Sequence, residues 1–90
     1  MRDSIITDVT DYCIICGKPK WEFHHLCFGT GGKPLSDEDG LVIPVCRECH
    51  ELIHSDARIG TMSKIIGQLA WEGRYGEREK FRKRYGKSFL

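Results

Sequence analysis

One array constrains this chain more than any other feature: Cys13-x-x-Cys16, then His24-His25, then Cys46-x-x-Cys49-His50-x-x-x-His54. It takes all 4 histidines and all but one of the 5 cysteines. A fold must bring the two CxxC turns together, because thiolates at this spacing close a tetrahedral zinc site. The chain has 90 residues, enough for one domain with a marginal core. Domains of this size bury only roughly 60–65% of the surface their unfolded chains expose. They commonly depend on a disulfide, a metal or a partner subunit. An odd number of cysteines argues against a full disulfide framework, and CxxC pairs in a reducing setting are more often metal ligands. Cys27, the fifth, is expected to be a small packed hydrophobe near the site.

Composition excludes several classes. At 40% hydrophobic and 10% aromatic the chain is not disordered by composition. No apolar run approaches the ~20 residues of a membrane span. Residues 1–12 read as a leader, in which Ile5 and Ile6 can pack, but not as a signal peptide, so a cytoplasmic setting is the expectation. The net charge of +1 hides an asymmetry. Residues 1–57 hold five Lys/Arg against ten Asp/Glu, and residues 58–90 hold nine against three. Divalent metal would offset charge in the acidic, ligand-bearing part, leaving the basic part to meet an anion.

Local patterns place the array on elements. Cys13 to Pro19 has knuckle chemistry. Trp21-Glu22-Phe23-His24 alternates, predicting a short strand that enters His25, and Leu41 to Val45 predicts a second strand. Pro44 makes that second strand an edge or a bulge. Phe28 to Gly40, rich in glycine and acid, reads as a loop. Arg47 to about Asp56 reads as a helix with His50 and His54 on one face. Gly60-Thr61 is expected to end one segment and open another, whose apolar positions Met62, Ile65, Ile66, Leu69 and Ala70 have helical spacing over residues 62–74. A last helix is expected from Glu77 to Tyr85, stopped by Gly86. Trp21, Trp71, Phe81 and Tyr85 are expected in the core.

Two metal sites follow. Cys13, Cys16, Cys46 and Cys49 make a closed structural zinc site with no open position. His24, His25, His50 and His54 make a second site. Adjacent histidines on a strand point to opposite faces, so one binds metal and the other faces substrate. Three ligands with open positions, plus a free imidazole, form the arrangement of a catalytic metal with a general base. The competing reading is a single mixed Cys/His zinc finger without chemistry.

The pattern resembles the HNH endonucleases, whose site is a ββα-metal (His-Me) finger. The resemblance spans Cys13 to His54. The strings Phe23-His24-His25-Leu26-Cys27-Phe28-Gly29-Thr30 and Asp39-Gly40-Leu41-Val42-Ile43-Pro44-Val45-Cys46, with the ending Arg84 to Leu90, are similar to small phage and prophage HNH proteins. That group has a relative that cuts DNA held by RecA. The resemblance implies an α+β fold: residues 1–12 as leader, 13–57 as a zinc-stabilised ββα-metal core, and 58–90 as a basic helical extension. It implies His24, His50 and His54 as ligands of one divalent cation (Mg2+, Mn2+, Zn2+ or Ni2+), and His25 as general base. It further implies a phage- or prophage-encoded protein working in a bacterial host, on DNA and in the subgroup on RecA-coated DNA. The products would be a 5′-phosphate and a 3′-hydroxyl. The family often has Asn just before the second strand, where it holds the base histidine. Here that place is Gly40, so Asp39 is the candidate orienting partner.

The basic tail supplies Arg74, Arg78, Arg82, Lys83 and Arg84 as candidate DNA-backbone contacts, which give affinity without sequence reading. Lys33 is a candidate phosphate contact, and Glu22 and Glu51 are candidates to orient the ligands. A non-catalytic zinc module that binds nucleic acid or protein is the alternative function.

Overall fold

The computed structural model describes residues 4–29 and 31–90. Residues 1–3 of the expected leader, and Thr30 of the Phe23–Thr30 string, lie outside the described residues. The fold is α+β, with element order β1 (Glu22–His25), α1 (Gly32–Asp39), β2 (Val42–Val45), α2 (Arg47–Ser55), α3 (Ala57–Arg74) and α4 (Arg78–Tyr85). No helix among the described residues is long and apolar enough to cross a membrane.

The two strands pair antiparallel, with Glu22 opposite Val45, Phe23 opposite Pro44, His24 opposite Ile43 and His25 opposite Val42. Pro44 is tolerated because a two-stranded ribbon leaves each strand with an unpaired edge. Its carbonyl accepts the Ile14 N–H at 2.9 Å, and the Val45 carbonyl accepts that of Trp21 at 2.9 Å. These bonds dock the knuckle on β2, so Cys13 and Cys16 approach Cys46. Ile5 and Ile6 pack against the core as expected.

Phe28 to Gly40 is not all loop, because Gly32–Asp39 forms α1. Pro34 falls in the first turn, where a missing N–H costs no helical bond. Gly40 ends α1 in the left-handed region at φ 76°, donating to the Ser36 carbonyl. The Ser36 hydroxyl donates to the Cys27 carbonyl at 2.7 Å and accepts the Cys27 N–H at 3.1 Å, which ties α1 to the end of β1.

The break expected at Gly60-Thr61 lies instead at Asp56. Its carboxylate accepts from the Arg58 and Ile59 N–H groups at 2.9 and 3.3 Å, so it caps α3. Gly60 then sits inside the helix, where a Cβ would come within 3.1 Å of the Ile53 carbonyl. The face of α3 turned inward is not the apolar set expected. It is Gly60, Ser63, Gly67, Gln68 and Trp71. Met62, Ile66 and Leu69 are about half exposed, at 58%, 47% and 52%. Small residues let α3 lie close to the end of β1, where Ser63 bonds His24 and the Leu26 carbonyl, while Gln68 bonds Glu72, Ser88 and Phe89. At Gly67 a Cβ would sit 2.8 Å from Cys27 Sγ and 2.9 Å from Leu26 Cβ. Gly67→Ala is therefore expected to destabilise by about 1–2 kcal/mol, overpacking outweighing the gain in helix propensity. A urea titration measures this, and Cys27→Ala in the same chain should restore part of the loss.

Phe81 and Trp71 are core as expected, and Tyr85 is half-buried, but Trp21 is 54% exposed. Gly86 stops α4 with φ 87°.

Asp39 fastens the helices to one another. It accepts from Trp71 Nε1 at 2.9 Å, Tyr85 OH at 2.8 Å, and Arg84 Nε and Nη2 at 2.7 and 2.8 Å. Its carbonyl takes the Tyr75 hydroxyl at 2.7 Å. Contact with this carboxylate pushes the Arg84 guanidinium above its ordinary range, and burial followed by Asp39 pushes the Tyr85 phenol up. Asp39→Ala is expected to cost about 3 kcal/mol, the low end for a broken buried pair, because the Arg84 side chain remains 34% exposed. The midpoint of urea unfolding at constant zinc checks it.

Candidate functional site

The thiolate cluster comes from the knuckle and the β2–α2 junction. Cys46 is the N-cap of α2 with extended backbone, and Cys49 lies in the first turn. The four Sγ atoms of Cys13, Cys16, Cys46 and Cys49 lie within 4.8 Å of one another, with Cys16 and Cys46 at 3.5 Å. A tetrahedron with zinc–sulfur arms of about 2.3 Å has edges of about 3.8 Å, so the donor set fits. Burial opposes ionisation of Cys13, but backbone N–H groups of Cys16, Cys46 and Ile15 outweigh it and hold the thiol down to about 6. Cys49 is pushed up by burial and then by the sulfurs of Cys46, Cys13 and Cys16.

The fifth cysteine packs as expected. Cys27 is 1% exposed. Burial pushes its thiol up to about 12, and its Sγ donates weakly to the Lys64 carbonyl at 3.7 Å.

His24, His50 and His54 bring one ring nitrogen each within 4.8 Å of the others. β1 delivers the first and α2 the other two, four residues apart on one face. His50 Nδ1 lies 2.9 Å from Glu22 Oε1, and His50 Nε2 faces His54 Nε2 at 3.1 Å. With Nδ1–H given to the carboxylate, His50 Nε2 carries a lone pair. Nitrogens at about 2.1 Å from one ion stand roughly 2.9–3.4 Å apart for octahedral to tetrahedral angles, so the pair fits a shared cation.

His24 is oriented from the other side. Its Nε2 is 2.8 Å from Ser63 Oγ, whose own proton goes to the Leu26 carbonyl at 2.9 Å. Ser63 therefore accepts from Nε2–H, which leaves Nδ1 free as the ligand atom. Burial, then His50, His54 and His25, depress His24 to about 3. Burial and His50 lower His54 as well. Both rings are neutral, with lone pairs available, at physiological pH.

His25 is not in the triad, as strand alternation requires. It lines the same cleft, a space of about 170 Å³ bordered by Glu22, Phe23, His24, Phe28, Lys33, His50 and His54. Its Nε2 meets Asp37 Oδ1 at 2.9 Å. Asp39, the expected orienting residue, is instead taken up by Trp71, Tyr85 and Arg84. The reason is helical: Asp37 and Asp39 are two residues apart on α1, so they face different directions. Glu22 orients a ligand, though on the opposite element. Glu51 instead pairs with Arg47 at 3.5 Å.

The expected backbone contacts divide. Arg84 is held by Asp39 and, at 3.4 Å, by Glu38. Arg78 pairs with Glu72 at 3.2 Å and Arg82 with Glu79 at 3.4 Å. Arg74 and Lys83 are exposed. The cations bordering the histidine cleft and its neighbours are Lys33, Lys64 and Lys87. Ser63, Asp37 and Lys64 were not anticipated. Ser63 and Asp37 lie 39 and 12 residues from their partners, and no local spacing marks any of the three.

Comparison with known proteins gives a family without a stated activity. The chain is similar to the Uncharacterized protein YdfU of Escherichia coli (strain K12), 34% identical over 68 residues. That alignment covers 74% of this chain and 16% of the relative, so the chain spans a small part of the relative's length. No solved structure matches it significantly. A family profile described as "Protein of unknown function (DUF968)" matches residues 8–88, a stretch that carries both ligand clusters and His25, and the chain belongs to that family.

Proposed function

We propose that this chain is a metal-dependent endonuclease of the HNH type, hydrolysing DNA phosphodiester bonds. One observation carries the reading. Three imidazoles converge beside a fourth that an acid holds in place, all in one open cleft, while four cysteines cluster separately. The three histidines lie on the first strand of an antiparallel pair and on the helix that follows the second, an order that fits the ββα-metal resemblance.

The chemistry assigns work to each residue. Asp37 accepts His25 Nε2–H, so His25 Nδ1 has the lone pair that takes a proton from water. Glu22 and Ser63 fix the rings of His50 and His24. Lys33, at the edge of the cleft, meets a phosphate oxygen. His24, His50 and His54 would hold a divalent cation, which would supply Lewis-acid stabilisation of charge on a phosphodiester. Phage or prophage DNA processing in a bacterial host, with RecA-coated DNA as a substrate form, is the setting the resemblance implies.

Nicking of supercoiled plasmid with added Mg2+, Mn2+, Ni2+ or Zn2+ tests the reading. Wild type should cut with at least one ion and leave 5′-phosphate ends. His54→Ala should keep one zinc per chain and stop cutting. A wild type that holds both metals and never cuts would leave a zinc module that binds nucleic acid.

A further inference from the structure

The histidine cleft does not stand alone. It shares Phe28 and His54 with a second cleft of about 230 Å³, which also contains Lys64. That cleft shares Phe28 and Lys64 with a third, of about 230 Å³, reaching Lys87 and Phe89. Rings and cations alternate along this path. Phe28 lies 4.6 Å from the His54 ring and 5.4 Å from that of His24. Lys64 Nζ is 4.6 Å from the Phe28 centroid and 5.7 Å from that of Phe89, over which Lys87 Nζ lies at 5.6 Å.

The far wall is built rather than loose. Gln68, fully buried, accepts the Phe89 N–H at 2.6 Å and donates to Ser88 Oγ at 2.9 Å, so a side chain of α3 holds the segment that carries Phe89. Beside His50 of the triad stands Trp21, 54% exposed and 5.8 Å from the His50 ring, with the Arg47 guanidinium 5.8 Å from its centroid. Arg47 also pairs with Glu51, so its charge is shared. The exposed indole thus stands next to His50, whose ring borders the histidine cleft.

We infer that these residues form a track for a single strand of nucleic acid running across the histidine triad. Bases stack on Trp21 on one side and against Phe28 and Phe89 on the other, and phosphates lie on Arg47, Lys64 and Lys87. This inference rests on the nuclease reading for its direction, since the track delivers a phosphate to the triad. The ligand is a strand with free base faces because aromatic rings add little to a duplex, whose bases already stack on one another. Nothing along the path reads base edges, so binding tolerates any sequence.

The experiment is binding, not cutting, so the two ideas can fail separately. Zinc-loaded protein without added Mg2+ is titrated with oligothymidine of about 12 nucleotides and with a hairpin duplex. The single strand should bind more tightly and quench Trp21 emission; Trp71, 5% exposed, should not respond. Trp21→Ala, Lys64→Ala and Phe89→Leu should each weaken binding about tenfold, and Trp21→Phe should restore it. Unchanged zinc content and urea midpoint separate lost stacking from lost folding. Duplex binding as tight as single-strand binding, or variants that bind like wild type, would overturn the track. Tight strand binding by a protein that never cuts would keep the track and remove the nuclease reading.

Discussion

Replacing Cys46 with serine should leave a chain that no longer folds cooperatively. The effect is large because of where the sulfur sits. Cys46 is 4% exposed, follows β2 at the N-cap position of α2, and is 3.5 Å from Cys16 of the knuckle. Zinc held by a thiolate set contributes on the order of 10 kcal/mol to the folding of small modules. A domain of this size has a total stability of roughly 5–13 kcal/mol. Losing most of the metal term therefore removes most of the margin. Circular dichroism on heating, with zinc counted per chain, should show one fewer ion and no sharp transition. Strong chelator should do the same to wild type. A Cys46→Ser chain that melts within a few degrees of wild type would show that the core alone suffices. His54→Ala is the matched control, since α2 keeps its cap and the thiolate site.

The second large effect is chemical. His25→Ala should lower the cleavage rate about 100- to 10,000-fold, the usual worth of a positioned general base. Folding, zinc content and affinity for DNA should stay near wild type, because His25 belongs to neither ligand set. Asp37→Asn should lose about tenfold or more, as is common when the residue orienting an imidazole is removed. Its hydrogen bond at 2.9 Å sets which ring nitrogen is free. Asp39→Ala would act differently, lowering stability with little effect on the rate of the folded fraction. Two acids on one short helix are thus separated by what they change. If His25→Ala cut at the wild-type rate, the base would have to be another group, and the family resemblance would lose its central role assignment.

Gly40 stands where the HNH resemblance would place Asn, and an acid on the preceding helix meets His25 instead. Gly40 is the left-handed stop of α1, and that helix carries Asp37 to the His25 ring. Reading Phe28 to Gly40 as loop hid this, since Gly32, Pro34 and three consecutive acids carry none of the usual helix signals. Ser36, fully buried between the Cys27 N–H and carbonyl, anchors the helix there.

The chain's own order of residues determined the two clusters of candidate ligands, the ribbon between them, and the helix that carries His50 and His54. Those follow from short-range geometry: a CxxC turn, alternation along a strand, and a four-residue step along a helix. Tertiary structure alone decided the partners that orient them and the faces that pack. Ser63 meets His24 across 39 residues, and Arg84 meets Asp39 across 45. Such pairs carry no local period, because they arise only where packed elements bring distant polar groups out of water and each must find a partner. The same constraint turned α3 against its apolar pattern. Glycine and serine allow a close approach to β1, and that proximity, rather than hydrophobicity, chose the buried face.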